Sequence, residues 1–255
     1  MKKYHVYLVF TLLLASNACK VSMKVSDSKP VSHVLWSELL QDHVSKDGWV
    51  DYKGFQKDSL KLKEYLNLLS SGHPNDKNWS RDEQLAYWIN AYNAYTVKLI
   101  TDHYPVQSIK DIKNGIPFVN TVWDIKFINI EGHTYDLNNI EHGIIRPYFN
   151  EPRIHFAINC ASVSCPRLLN EAYTADQLEE QLTNAARSFL ADPLRNQVEK
   201  HRVSSIFSWF RGDFKKKSGS LVKFINQYAP EVVQEDTDLA FLDYNWQLNE
   251  EKNKP

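Results

Sequence analysis

The 255-residue chain sets 30 Lys and Arg against 31 Asp and Glu, a formal net charge of -1 at pH 7, with 43% hydrophobic and 13% aromatic residues. This near-cancellation leaves no global field to attract an anionic polymer, which argues against a nucleic-acid partner. The length suits one well-filled core.

Lys2 and Lys3, an apolar run over residues 6–15, and the small residues Ser16 and Ala18 ahead of Cys19 read as an export signal over residues 1–18. The apolar run is too short to stay in a bilayer as a helix. Cleavage after Ala18 would leave Cys19 at the new N-terminus, the position at which bacterial lipoproteins are acylated. Ser16 stands where that signal usually has a large aliphatic residue, so the motif is imperfect. The expectation is a cell-envelope protein held to the membrane only by a lipid on Cys19, with a soluble exported form as the alternative. Residues 19–30, rich in Ser and Lys, read as a flexible tether and residues 31–250 as the domain.

Helical spacing of apolar residues predicts helices over 30–44 and 59–69, with a turn at Asp47-Gly48 and a short alternating segment at Trp49-Val50-Asp51-Tyr52 between them. Ser80 and Glu83 form a capping box that opens a third helix running to about Thr101. On it, Asn90 and Asn93 share a face; they either fix a neighbouring loop or supply a catalytic amide. Residues 117–130 read as strand, and a turn at Gly132-His133 leads into a second strand at 134–137, a hairpin. Asn138 or Asn139 then caps a short helix that reaches Tyr148, with Pro147 interrupting it late.

Residues 153–160 alternate as a strand, with Ile154, Phe156 and Ile158 on one face and Arg153, His155 and Asn159 on the other. Thr174 and Gln177 suggest a second capping box, for a helix closing at Asp192-Pro193. Residues 197–206 read as strand, followed by the aromatic group Phe207, Trp209 and Phe210 near Asp213, a helix over 220–228 and an extended segment at 241–248. The order implies a single α+β domain, a small mainly antiparallel or mixed sheet packed by several helices, and it leaves room for a cysteine-peptidase-like arrangement.

Chemistry concentrates between residues 141 and 165. A thiolate at Cys160 would need an imidazole to accept its proton, with His155 or His142 in reach and Glu141 or Asn93 as orienting partner. The loop Ala161-Ser162-Val163-Ser164 could present backbone donors to an acyl oxyanion. That constellation describes a thiol-dependent hydrolase or acyltransferase acting on amide or ester bonds of an envelope peptide or small molecule. The competing reading is a non-catalytic envelope binding or scaffold domain in which Cys160 and Cys165 form a disulfide. Asn90, Arg146, Arg153 and Asn159 are candidate ligand contacts, although arginines such as Arg146, Arg153 and Arg167 more often serve in ion pairs. The His and Cys spacing matches no short zinc motif, so neither a metal nor a cofactor is expected.

Three stretches together resemble the DUF547 family, a domain named for its unknown function: Ala86-Tyr87-Trp88-Ile89-Asn90-Ala91-Tyr92-Asn93-Ala94, Ile140-Glu141-His142, and His155-Phe156-Ala157-Ile158-Asn159-Cys160 continuing to Pro166. Ser205-Ile206-Phe207, Asp213-Phe214 and Tyr244-Asn245-Trp246-Gln247-Leu248-Asn249 look like its later signatures. The resemblance implies an exported or lipid-anchored bacterial member. It places functional weight on Asn90, Asn93, Glu141, His142, His155, Asn159, Cys160 and Cys165, and it implies no chemistry. Asn245 departs from the family pattern, which often has Asp there.

Overall fold

Ser80 opens the element around which the domain is built. In a computed structural model, which describes residues 21, 24–113, 115 and 120–255, its hydroxyl accepts from the Glu83 N–H at 3.2 Å while the Glu83 carboxylate accepts from the Ser80 N–H at 2.7 Å. The signal segment and Cys19 lie outside the described residues. We number helices and strands in chain order, beginning with α1 (Val34–His43), α2 (Tyr52–Lys57), α3 (Ser59–Ser70) and α4 (Arg81–His103). Every residue of α4 from Gln84 to Val97 is buried, so it is a central helix rather than an amphipathic one. Against it pack α2 and α3, and α1 lies on α3 through a Trp36–Tyr65 stack with centroids 5.6 Å apart.

Helix α2 replaces the extended segment expected near Tyr52. Asp51 caps it, its carboxylate accepting from the Gly54 N–H at 3.0 Å, a signal the alternation of Trp49 to Tyr52 masks. The expected Asp47-Gly48 turn is present, with Gly48 at φ +81°, a conformation glycine adopts without strain. Part of the expected tether lies against the domain: the Ser28 carbonyl accepts from the Trp79 indole N–H at 3.0 Å, and its hydroxyl donates to the His73 carbonyl at 2.6 Å.

The hairpin forms as expected, with β1 (Ile128–Ile130) antiparallel to β2 (His133–Tyr135) and Ile128 opposite Tyr135. Its turn is Glu131-Gly132, one residue earlier than expected, where both residues have positive φ. The longer strand expected over 117–130 shrinks to β1. Residues 122–124 instead form a 3-10 turn, because the Asp124 carboxylate reaches back to the Thr121 N–H at 2.8 Å; residues 116–119 lie outside the described set. Asp136, not Asn138 or Asn139, caps the next helical segment, its carboxylate accepting from the Asn139 N–H. The chain then runs through a π-helical turn, Asn139–Ile145, into α5 (Arg146–Phe149). Pro147 follows directly on the π-helical turn, as the second residue of α5 in one continuous helical run.

The segment read as the clearest strand is not one. Residues Pro152–Phe156 form a 3-10 helix, because Pro152 presets φ and the Glu151 carboxylate caps the Arg153 N–H at 3.0 Å. Residues on both alternating faces, from Arg153 to Asn159, are buried, so alternation here did not mark a strand with one wet face. Helix α6 (Leu178–Ala191) starts without the expected box: the Thr174 N–H donates to the Gln181 side chain at 3.1 Å instead. Strand β3 (Arg202–Ser204) is the remnant of the strand expected over 197–206. It pairs in parallel with β4 (Ala240–Leu242).

Between those strands come α7 (Ile206–Trp209), α8 (Arg211–Ser218) and α9 (Leu221–Asn226), the last capped by Ser220. Phe156, Phe189, Phe207, Phe214 and Phe224 stack into a second core under them. The fold is thus α+β, with small two-stranded sheets packed by helices. Among the described residues, no helix is long and apolar enough to cross a membrane.

Candidate functional site

Asn90 and Asn93 are spent on loops. The Asn90 amide donates to the Tyr173 carbonyl at 2.8 Å and accepts from the Tyr173 N–H at 3.0 Å. Asn93 does the same one helical turn on, donating to the Ala157 carbonyl at 2.9 Å and accepting from the Asn159 N–H at 2.8 Å. A buried helix thereby pins the segment that carries His155 and Cys160, and Asn93 makes its bonds to backbone rather than to either histidine. Asn159 continues the chain of anchors, donating to the Pro166 carbonyl at 2.7 Å and accepting from the Ala161 N–H at 2.7 Å. Those bonds close the loop between the two cysteines.

Cys160 and Cys165 are joined in a disulfide, with Cα atoms 6.3 Å apart, inside the range such a bond spans. This overturns the expectation of a thiol-dependent hydrolase or acyltransferase: a sulfur shared in a disulfide has no thiolate with which to attack a carbonyl. The cysteine-peptidase-like arrangement loses its support with it. The Tyr244 hydroxyl lies 3.3 Å from Cys160 Sγ and 3.2 Å from Cys165 Sγ, and burial pushes that phenol well above its ordinary value.

The bridge borders a cleft of about 310 Å³. Trp123, Trp209, Tyr244 and Trp246 form its aromatic wall, drawn from segments far apart in sequence. Trp209 and Trp246 stack with centroids 5.9 Å apart and planes 20° from parallel, and Tyr244 lies 4.6 Å from Trp246. At the other end Glu141, His142 and His155 also line the cleft. The π-helical turn delivers the first two and the 3-10 turn the third, so His155 and Cys160 share one cleft because there is no strand to set them on opposite faces.

The polar end is ordered by one ion pair. Arg146 donates to the Asp213 carboxylate from Nε at 2.7 Å and Nη2 at 3.1 Å. His155 donates to the same carboxylate from Nε2 at 2.9 Å. Burial works to raise Asp213, but the His155 and Arg146 hydrogen bonds override it and hold the carboxyl well below the usual range. Burial lowers the pKa of His155 against the pull of Asp213, leaving a neutral ring whose Nδ1 has no hydrogen-bond partner among the described residues. That nitrogen faces Glu141 Oε1 at 3.9 Å. Phe210 stacks on the His155 ring at 3.8 Å.

His142 is lowered to about 4, first by burial and then by Arg146. Its Nδ1 accepts from Arg146 Nη1 at 2.8 Å, which puts the proton on Nε2. Glu141 is raised to about 7 by burial, although Arg146 and the Tyr92 hydroxyl favour its ionised form. The folded chain therefore keeps that proton to higher pH than the unfolded chain, so ionising Glu141 costs stability as pH rises from its ordinary value of 4.5 through about 7. Glu141→Gln should raise the unfolding free energy by ~2 kcal/mol at pH 8 and by much less at pH 5. Urea midpoints at the two pH values check this; equal gains at both would show that burial is not the cause.

Arg153 and Arg167 are both in ion pairs. Arg153 bridges Glu151 and Glu179, each at 2.7 Å, and Arg167 lies 3.6 Å from Asp47 and 3.4 Å from Asp192. Among the described residues no group of three or more His, Cys, Asp or Glu is placed to hold a metal ion. Asp213, Tyr92, Tyr244 and the three tryptophans do not stand out from the sequence as site residues. The signals they left are the run of Phe207, Trp209 and Phe210 beside Asp213 and the resemblance of Asp213-Phe214 and Tyr244-Asn245-Trp246 to later family signatures.

A buried α4, the Asn90 and Asn93 anchors, the Glu141-His142 turn and the Cys160–Cys165 loop together frame the cleft. Residues 77–190 match the family model DUF547, a protein of unknown function. No curated protein and no solved structure matches the chain.

Proposed function

We propose that the chain is an exported bacterial envelope protein whose domain binds a small ligand in the aromatic cleft, with the disulfide as framework. The observation that carries this reading is the composition of the cleft: exposed and half-buried indoles on one wall, a fixed polar group at one end, and the Cys160–Cys165 bridge at its border. Ligand sites are commonly concave, mostly apolar and provided with a few well-placed polar atoms. Export and a lipid on Cys19 fit the N-terminal pattern, and a structural disulfide belongs in an oxidising compartment.

Converting both cysteines to serine should cost ~2 kcal/mol, the modest value expected for a bridge with a sequence separation of 5. It should also shift the Trp209 and Trp246 indole signals, because Tyr244 packs between the bridge and those rings. The binding reading is tested by adding a set of neutral organic fragments to the oxidised protein and following indole N–H resonances. Hits should move Trp123, Trp209 and Trp246 together. A set that leaves all three unmoved contradicts the reading.

A further inference from the structure

Resting on that cleft reading, we infer that the ligand is a neutral saccharide, with one sugar ring laid against Trp209 and its hydroxyls toward the polar end formed by Glu141, His142 and His155. Charge points there first. Among the described residues the lining holds Glu141 but no lysine or arginine, so an anionic ligand finds no counter-charge there. Of the cations beside the lining, Arg146 pairs with Asp213, and Lys110 lies over the Trp246 ring, 3.9 Å from its centroid.

Flat and polar surfaces are also paired in the cleft. Trp209 is 50% exposed although it stacks on Trp246, so a broad indole face stays open to a partner of similar flatness. A pyranose supplies such a face in its ring C–H groups, with hydroxyls around the edge that both donate and accept. The polar end asks for both kinds of bond. His155 Nδ1 is an acceptor without a partner on a residue only 3% exposed, and leaving such an atom unpaired is costly. His142 Nε2–H offers a donor within the same lining, and the Glu141 carboxyl lies between the two imidazoles, 3.9 Å from Nδ1 of each. A purely apolar ligand would leave His155 Nδ1 and the His142 Nε2–H without partners. A hydroxyl-bearing ring satisfies them. The volume, about 310 Å³, sits at the small end of ligand pockets, roughly 300–1,000 Å³, and suits one or two rings rather than a long chain.

The test uses the full oxidised chain, with indole N–H resonances as readout and three probes: the trimer of N-acetylglucosamine, cellotriose, and the neutral non-sugar N-acetylphenylalaninamide. At least one saccharide should move Trp209 and Trp246 at millimolar concentration or below, and Trp209→Ala should weaken that binding by about tenfold or more. Trp209 is half exposed, so this variant should stay folded, which its remaining indole signals report. Saccharide binding unaffected by Trp209→Ala would overturn the inference. If only N-acetylphenylalaninamide moves the two indoles, the saccharide assignment fails while the cleft reading stands. If no probe moves them, both fail.

Discussion

Asn93→Ala should lower the unfolding free energy by about 3 kcal/mol and loosen the loop that carries the disulfide. The substitution deletes two buried hydrogen bonds, to the Ala157 carbonyl at 2.9 Å and from the Asn159 N–H at 2.8 Å. It leaves both backbone groups inside the protein without partners, and each such group costs about 1–3 kcal/mol. Chemical denaturation measures the loss, and amide exchange at Asn159 and Ala161 locates it. A loss below about 1 kcal/mol would mean that the loop is held by something other than α4.

The second large effect is expected at Asp213. Asp213→Ala should cost ~2–4 kcal/mol at pH 7, since it strips Arg146 and His155 of their shared acceptor in a partly buried site. Because the folded-state pKa of Asp213 is depressed, its contribution is complete above the ordinary carboxylate value of 3.8 and disappears as pH falls below it. The gap between parent and variant should therefore narrow from pH 6 toward pH 3. His142 and His155, both lowered by burial, destabilise the parent over a higher window: each binds a proton in the unfolded chain first, so stability declines as pH falls below the ordinary 6.5. Thermal unfolding across pH 3–7 separates the two groups. A constant gap would show that the ion pair does not set the acid limb.

How much was legible in the sequence depends on the range of the interactions. The α4 capping box is local and stands where pattern and chemistry put it; the β1–β2 hairpin is local too, with its turn one residue earlier than read. Asn90 and Asn93 were readable as loop anchors because small amides on a bulky helix need partners. The failures also have local causes. Residues 153–160 alternate like a strand, but Pro152 and the Glu151 cap make the first part a 3-10 turn, and the Asn93 amide binds the backbone that a neighbouring strand would have bound.

Most of the site lay beyond such reasoning. Asp213 meets His155 across 58 residues and Tyr244 meets Cys160 across 84, pairings for which no short pattern exists. Free thiols and a disulfide were both compatible with Cys160 and Cys165 as a pair of symbols. Their closeness in the folded loop distinguishes the two.

That bond is also where the binding reading is most directly exposed to test. The full chain should be recovered with a thiol-blocking reagent present throughout, unfolded without reductant, alkylated and mapped by peptide mass. Cys160 and Cys165 should escape the label and appear joined to each other. Label on both would contradict this, returning two free sulfurs to the border of the cleft and removing the framework on which ligand binding there rests.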